Sequence, residues 1–132
     1  MNLIDHVSVT VQDLERARSI YDAILVPLGA ERVVSNEKKI GYGQRCRPGD
    51  SQHSYFTVYL SVRVTPPSRK RHVAFKAPSR AAVDAFFEGG VRHGAKVDLS
   101  PQVHPEYHPG YYSAFLVDPW GNRLEAVFHE LE

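Results

Sequence analysis

Two short segments carry the residues best suited to chemistry. Asp5-His6-Val7-Ser8-Val9-Thr10-Val11 and Arg71-His72-Val73-Ala74-Phe75-Lys76-Ala77 read as copies of one strand, 66 residues apart in a chain of 132. A histidine stands at the start of each copy. Near the far end, Asp118-Pro119-Trp120-Gly121-Asn122 forms a tight turn that feeds a strand through Arg123-Leu124-Glu125. Two imidazoles and one carboxylate on three strands make a candidate metal triad: His6, His72 and Glu125. That donor set suits a divalent transition metal and leaves positions open for substrate oxygens. The metal would act as a Lewis acid, or would activate oxygen if it is iron.

The elements around these residues must hold them rigidly. In the first copy Val7, Val9 and Val11 alternate with His6, Ser8 and Thr10, so the histidine belongs to the polar face of a strand. A helix follows, with Asp13 as N-cap, Glu15 in its first turn, and an apolar stripe of Leu14, Ala17, Tyr21, Ile24, Leu25 and Leu28. Pro27 breaks its last turn and Gly29 ends it. Strand-like runs at 31–34, 39–43 and 54–62 complete a β-α-β-β-β order. The second half repeats it. Ser79 caps a helix striped by Val83, Phe86, Phe87 and Val91, Gly94 ends that helix, and strands are expected at 111–117 and 123–128. One strand is hard to place between Val97 and Tyr111. The halves, about 1–64 and about 70–132, form a single domain, and Thr65-Pro66-Pro67-Ser68 is the hinge between them.

The repeat also points to a fourth position. Glu125 lies 53 residues after His72, and 53 residues after His6 is Tyr59. A pseudo-twofold arrangement would therefore bring Tyr59 to the other three. A phenol with a pKa near ~10 is a poor general base, but it donates a hydrogen bond well. A second cluster is His104-Pro105-Glu106-Tyr107-His108-Pro109-Gly110-Tyr111-Tyr112, dense in His and Tyr for a loop. It reads as a lid in which His104, Tyr107, His108 and Tyr112 contact substrate. Ser8, beside His6 on the polar face, is a further substrate-binding candidate.

Composition bounds the rest. A formal net charge of +1, with both signs scattered along the chain, builds no field for nucleic acid or a membrane surface. The densest cationic run, Ser68-Arg69-Lys70-Arg71, reads as a solvated loop. The single cysteine, Cys46, excludes an internal disulfide and fits a reducing compartment, so a cytoplasmic location is expected. Its neighbours Arg45 and Arg47 would favour a thiolate, but no catalytic motif surrounds it. The first residues do not read as a signal peptide, and no apolar run approaches membrane-spanning length.

Taken together, His6, His72, Asp13-Leu14-Glu15-Arg16-Ala17 and Asp118-Pro119-Trp120-Gly121-Asn122-Arg123-Leu124-Glu125 give the chain a close resemblance to the vicinal oxygen chelate superfamily. That group includes glyoxalase I (lactoylglutathione lyase), extradiol dioxygenases, fosfomycin-resistance enzymes and bleomycin-resistance proteins. The resemblance implies an α+β fold of two tandem β-α-β-β-β modules in a curved mixed sheet around a concave site. It implies one divalent metal ion (Zn, Ni, Mn, Fe or Co) on His6, His72 and Glu125, with Glu125 also catalytic; Tyr59, placed by the repeat and not by the resemblance, is a further catalytic or substrate-binding candidate. It implies a small-molecule substrate that chelates through vicinal oxygens. Relatives of this size usually dimerise and often pair module one of one chain with module two of the other, so His6 and the His72/Glu125 pair can come from different copies. Glyoxalase I usually carries a second carboxylate in module one; Tyr59 in its place weakens a two-carboxylate proton shuttle. An extradiol-type dioxygenase and a non-catalytic drug- or metabolite-binding protein are the alternatives.

Overall fold

The computed structural model describes residues 3–44, 47–64, 66 and 68–131. Cys46 with Arg45, and Thr65 and Pro67 of the hinge, lie outside the described residues. The element order is β1 (His6–Val11), α1 (Leu14–Leu25), a 3-10 turn (Val26–Leu28), β2 (Arg32–Ser35), β3 (Lys39–Gly43) and β4 (Tyr55–Leu60). The second half gives β5 (Val73–Lys76), α2 (Arg80–Arg92), β6 (Lys96–Val103), β7 (Tyr111–Val117) and β8 (Arg123–His129). Each half is a four-stranded mixed sheet, ordered β1-β4-β3-β2 and β5-β8-β7-β6, in which the first strand runs parallel to the last. This is the expected pair of β-α-β-β-β modules.

The strand that the sequence left unplaced is β6. It is an edge strand with two register shifts against β7, and it contains Pro101. Proline and bulges belong at such an edge, because the ring removes a ladder donor and the bulges twist the edge away from further pairing. Its alternation is broken for the same reason, which hid it from a period-two reading.

Both helix starts form as their caps dictate. The Asp13 carboxylate accepts from the Arg16 N–H at 3.1 Å, and the Ser79 hydroxyl accepts from the Ala82 N–H at 3.0 Å. Helix α1 stops at Leu25, two residues before Pro27, and Gly29 closes the turn at φ 90°. In α2 the expected stripe shifts. Val91 is 41% exposed, while Gly90 faces the core with Ala82, Val83 and Phe86. The helices approach too closely for a side chain at this point. A Cβ on Gly90 would run into Leu116, and one on Gly89 would come within 2.8 Å of the Ala23 carbonyl oxygen.

One hydrophobic core serves both modules. It joins Ile20, Tyr21 and Ile24 of α1 and Val83 and Phe86 of α2 to Phe56 and Val58 of β4 and Leu124 and Ala126 of β8. Fully burying one aliphatic side chain of this size contributes about 1.5–3 kcal/mol relative to exposing it. The phenyl rings of Phe56 and Phe75 meet edge-on at 5.0 Å across the module boundary. By strand alternation, His6, Thr57, His72 and Glu125 lie on the sheet faces opposite the helices.

The β7–β8 turn ties the two modules together. The Asp118 carboxylate, 2% exposed, accepts from the backbone N–H groups of Trp120 and Asn122, from the Asn122 amide at 2.8 Å and from the Tyr21 hydroxyl at 2.7 Å. The Asn122 amide also donates to the Thr10 carbonyl of β1 at 2.8 Å. Burial pushes the Asp118 carboxyl up from its ordinary range, and the hydrogen bonds from Asn122 and Tyr21 oppose that rise. Replacing Asp118 by Ala orphans several buried donors at once, whereas Tyr21→Phe removes one hydroxyl. Urea unfolding should show a loss of about 2–4 kcal/mol for Asp118→Ala and about 1 kcal/mol for Tyr21→Phe.

Candidate metal centre

Residues Glu125 and His72 are brought together as their strands require. Glu125 sits at the middle of β8, paired with Ala74 of β5 on one side and Phe115 of β7 on the other. His72 lies just ahead of β5 rather than within it, and its Nε2 stands 3.1 Å from Glu125 Oε1. That separation matches two neighbouring ligands each about 2.1 Å from one ion. Glu125 is 2% exposed, and its other oxygen accepts from the Tyr111 hydroxyl at 2.7 Å. Burial, followed by this bond to Glu125, pushes the Tyr111 phenol far above its ordinary pKa, so it acts as a fixed donor. The Arg123 guanidinium, from the same strand face, is committed elsewhere: it donates to Asp98 at 2.7 Å and lies over the Phe115 ring.

His6 is apart from this couple. Its Nδ1 is 2.6 Å from Asp5 Oδ1, and the ring is largely exposed. His6 and His72 both line a groove of about 710 Å³ together with Leu3, Ile4, His53 and Phe75. A second groove of about 390 Å³ runs between Ser8 and Thr10 on one side and Lys70, Arg71, His72 and Arg123 on the other. Among the described residues of one chain, no three His, Cys, Asp or Glu side chains gather closely enough to hold a metal ion. The donor chemistry and spacing of His72 and Glu125 fit a metal; among the described residues of one chain no third member stands beside them.

The fourth position is corrected by the strand register. In module two, Glu125 pairs with Ala74, two residues after His72. In module one, the residue two after His6 is Ser8, and it pairs with Thr57. Thr57 is therefore the counterpart of Glu125, and Tyr59 lies one alternate position further along β4, 41% exposed and opposite Lys39. A fixed offset of 53 failed because module two holds two more residues between its first and last strands. Thr57 is 3% exposed, and the neighbouring Tyr55 ring lies over Gly41, where a Cβ would collide with its hydroxyl.

The His-rich loop divides in two. His104, Tyr107 and His108 gather around Tyr111, with ring centroids 6.1, 4.7 and 5.6 Å from it. His104 is buried. Its Nδ1 faces Glu106 at 3.1 Å, and its Nε2 has no hydrogen-bond partner. His108 accepts from the Gly110 N–H on Nδ1, so its Nε2 carries the proton shared with His129 Nδ1 at 2.9 Å. Tyr112 instead faces α2, donates to Asp84 at 2.6 Å and carries Arg80 over its ring. This places it on the sheet face away from Glu125, as strand alternation demands. The Ser68–Arg71 run is not wholly solvated either, since Arg69 pairs with Asp98 at 2.9 Å.

Three further residues contact the candidate ligands directly or through one another, Tyr111 at Glu125, Asp5 at His6 and His53 at Asp5, and the sequence does not single them out. Asp5 is adjacent to His6 and was visible as a neighbour. His53 and Tyr111 reach their partners only through sheet register and loop path, which no spacing rule reveals.

Two β-α-β-β-β modules with an imidazole–carboxylate couple on a polar sheet face define a glyoxalase-like protein. The chain matches the Glyoxalase/Bleomycin resistance protein/Dioxygenase superfamily over residues 3–126 and belongs to it. A glyoxalase/bleomycin resistance protein from Albidiferax ferrireducens is 28% identical, with a TM-score of 0.79 over 96% of this chain and 99% of that one. The fosfomycin resistance protein FosX from Mesorhizobium loti is similar in fold at 19% identity and a TM-score of 0.66, over 99% and 95% of the two chains. A glutamine mutant of FosX from Listeria monocytogenes, complexed with Mn(II) and 1S,2S-dihydroxypropylphosphonic acid, is 16% identical with a TM-score of 0.68, over 100% and 94%. No curated protein sequence matches the chain. No helix among the described residues is long and apolar enough to cross a membrane.

The Tyr111–Glu125 bond gives a direct test of the geometry. Tyr111→Phe removes a donor from a buried carboxylate while keeping the ring. Chemical denaturation of the metal-free protein should show a loss of about 1–3 kcal/mol; an unchanged midpoint would mean that Glu125 is not held as described.

Proposed function

We propose that this protein is a metal-dependent enzyme acting on a small substrate that chelates through vicinal oxygens, with His72 and Glu125 of one copy and His6 of a second copy as the protein ligands. The observation that carries this reading is Glu125: a carboxylate 2% exposed, set 3.1 Å from an imidazole and otherwise held by a neutral phenol. Burying a carboxylate with so little compensation is costly, and a bound cation offsets that cost. A divalent metal there supplies Lewis-acid stabilisation of charge that develops on a chelated oxygen.

The residues around it divide the remaining work. Tyr111 orients Glu125. Phe115, whose ring lies 5.5 Å from His72 and 6.3 Å from His104, forms an apolar wall between them. His104 brings an unpaired imidazole nitrogen close to that wall and is the best-placed group to accept or hold a substrate proton. Tyr107 and His108 cover Tyr111 from the loop, and Ser8 lies on the β1 side of the groove that His72 lines. With Thr57 as the module-one counterpart of Glu125, the chain supplies one carboxylate rather than two, which favours isomerisation, addition or cleavage driven by the metal over a two-carboxylate proton shuttle. Tyr59 is left as a hydrogen-bond donor at the rim.

Shared ligands make an unusual demand on mixed mutants. His6→Ala and Glu125→Gln should each bind far less than one metal ion per chain when purified without a histidine tag and reconstituted. Unfolded and refolded together, the two should regain intact sites in mixed pairs, because one copy still donates His6 and the other still donates His72 and Glu125. If metal content in the mixture stays at the level of the separate mutants, the shared-site reading fails. An iron-dependent uptake of oxygen with catechols would move the reaction to the dioxygenase type. Unchanged ligand affinity in His72→Ala would move the protein to a non-catalytic binder.

A further inference from the structure

The N-terminal entry to β1 holds two polar side chains, Asp5 and His53, that the proposed reaction does not use. Asp5 is bracketed by two imidazoles. His6 Nδ1 lies 2.6 Å from Asp5 Oδ1, and His53 Nε2 lies 2.8 Å from Asp5 Oδ2. His53 comes from the segment just before β4 and is 6% exposed, although Asp5 and His6 themselves are open to solvent. A carboxylate that close to an imidazole nitrogen can only accept, so the proton of His6 must sit on Nδ1. Its Nε2 is then left with a free lone pair, the state a metal ligand needs.

We infer that Asp5 and His53 are positioning residues that hold His6 in its Nδ1–H tautomer and in one orientation, preparing its Nε2 as a metal ligand. This deepens the function proposed above and rests on His6 being a ligand. The physical reason is entropic and electrostatic. An exposed imidazole rotates freely and exchanges tautomers, and each wrong state subtracts from metal affinity. A hydrogen bond from Nδ1–H to a carboxylate fixes both and raises the basicity of the opposite nitrogen. Asp5 alone is exposed and would rotate as well. The buried His53 takes up its second oxygen and fixes it, so the order of support runs from His53 to Asp5 to His6. A wholly structural role for Asp5 is the competing explanation, and its exposure argues against it.

The test uses the intact protein and has a readout that does not need activity. Long-range nitrogen–proton NMR on the metal-free protein reports the His6 tautomer directly. The expected result is Nδ1–H in the native protein and a shift towards Nε2–H in Asp5→Asn. Titration with Zn(II), Ni(II) and Mn(II) alone should show Asp5→Asn and His53→Ala binding about 10- to 100-fold more weakly, with the thermal midpoint of metal-free Asp5→Asn unchanged. His53→Gln, which keeps an N–H donor towards Asp5, should bind more tightly than His53→Ala. Native His6 found as Nε2–H overturns the inference. So does Asp5→Asn binding at native affinity while His6→Ala loses the metal, an outcome that leaves the ligand assignment standing. If His6→Ala itself binds at native affinity, the assignment of His6 as a ligand falls, and the positioning role falls with it.

Discussion

The carboxylate of Asp118 is the constraint on which the site geometry depends. It closes the β7–β8 turn through two backbone N–H groups and grips Tyr21 of α1, while Asn122 reaches the Thr10 carbonyl of β1. One buried side chain therefore fixes the start of the strand that carries Glu125 relative to the strand that carries His6. Its desolvation is unfavourable, and the hydrogen bonds it accepts offset that cost. Such a group specifies one arrangement of the two modules more sharply than apolar packing alone, because sliding either module by one residue would leave several donors unpaired.

A second consequence comes from where the core sits. The two modules share a single apolar core on the helix side of their sheets, reinforced by the close approach of α1 and α2 at Gly89 and Gly90 and by Phe56 against Phe75. The polar faces are those left over. His72 and Glu125 converge on one of them, and His6 lies on the other. The proposed sharing of the site between copies accounts for a couple in which Glu125 is buried and His72 one-third open, and for a His6 that is largely exposed. On the proposed reading His6 is the ligand that needs external orientation, and the Asp5–His53 pair is placed to provide it.

The modular fold was legible because strands and helices were written in two clear periods. Val7, Val9 and Val11 gave the first strand's faces, Asp13 and Ser79 gave the helix starts, and the repeated histidines gave the duplication. The approach of His72 to Glu125 was legible for the same reason, since one stands just ahead of β5 and the other within β8. What failed was arithmetic carried across loops. Counting from His6 reached Tyr59, but insertion of two residues in module two moved the true counterpart to Thr57. Loop density alone points to Tyr112 as a contact residue, whereas Tyr111, one residue earlier and on the opposite face, holds Glu125. Edge strand β6 was obscured by Pro101 and its bulges. His53 carries no local pattern at all; only the fold brings it to Asp5.

The central claim is that one metal ion is held by His72 and Glu125 of one copy and His6 of another. Crystals of the metal-reconstituted protein, measured at the absorption edge of the bound metal, test it most directly. The account requires one anomalous peak per copy, about 2.0–2.2 Å from a ring nitrogen of His72, an oxygen of Glu125 and His6 Nε2 of a neighbouring copy. A peak bound away from Glu125, or coordinated by His6 of the same chain, would contradict it.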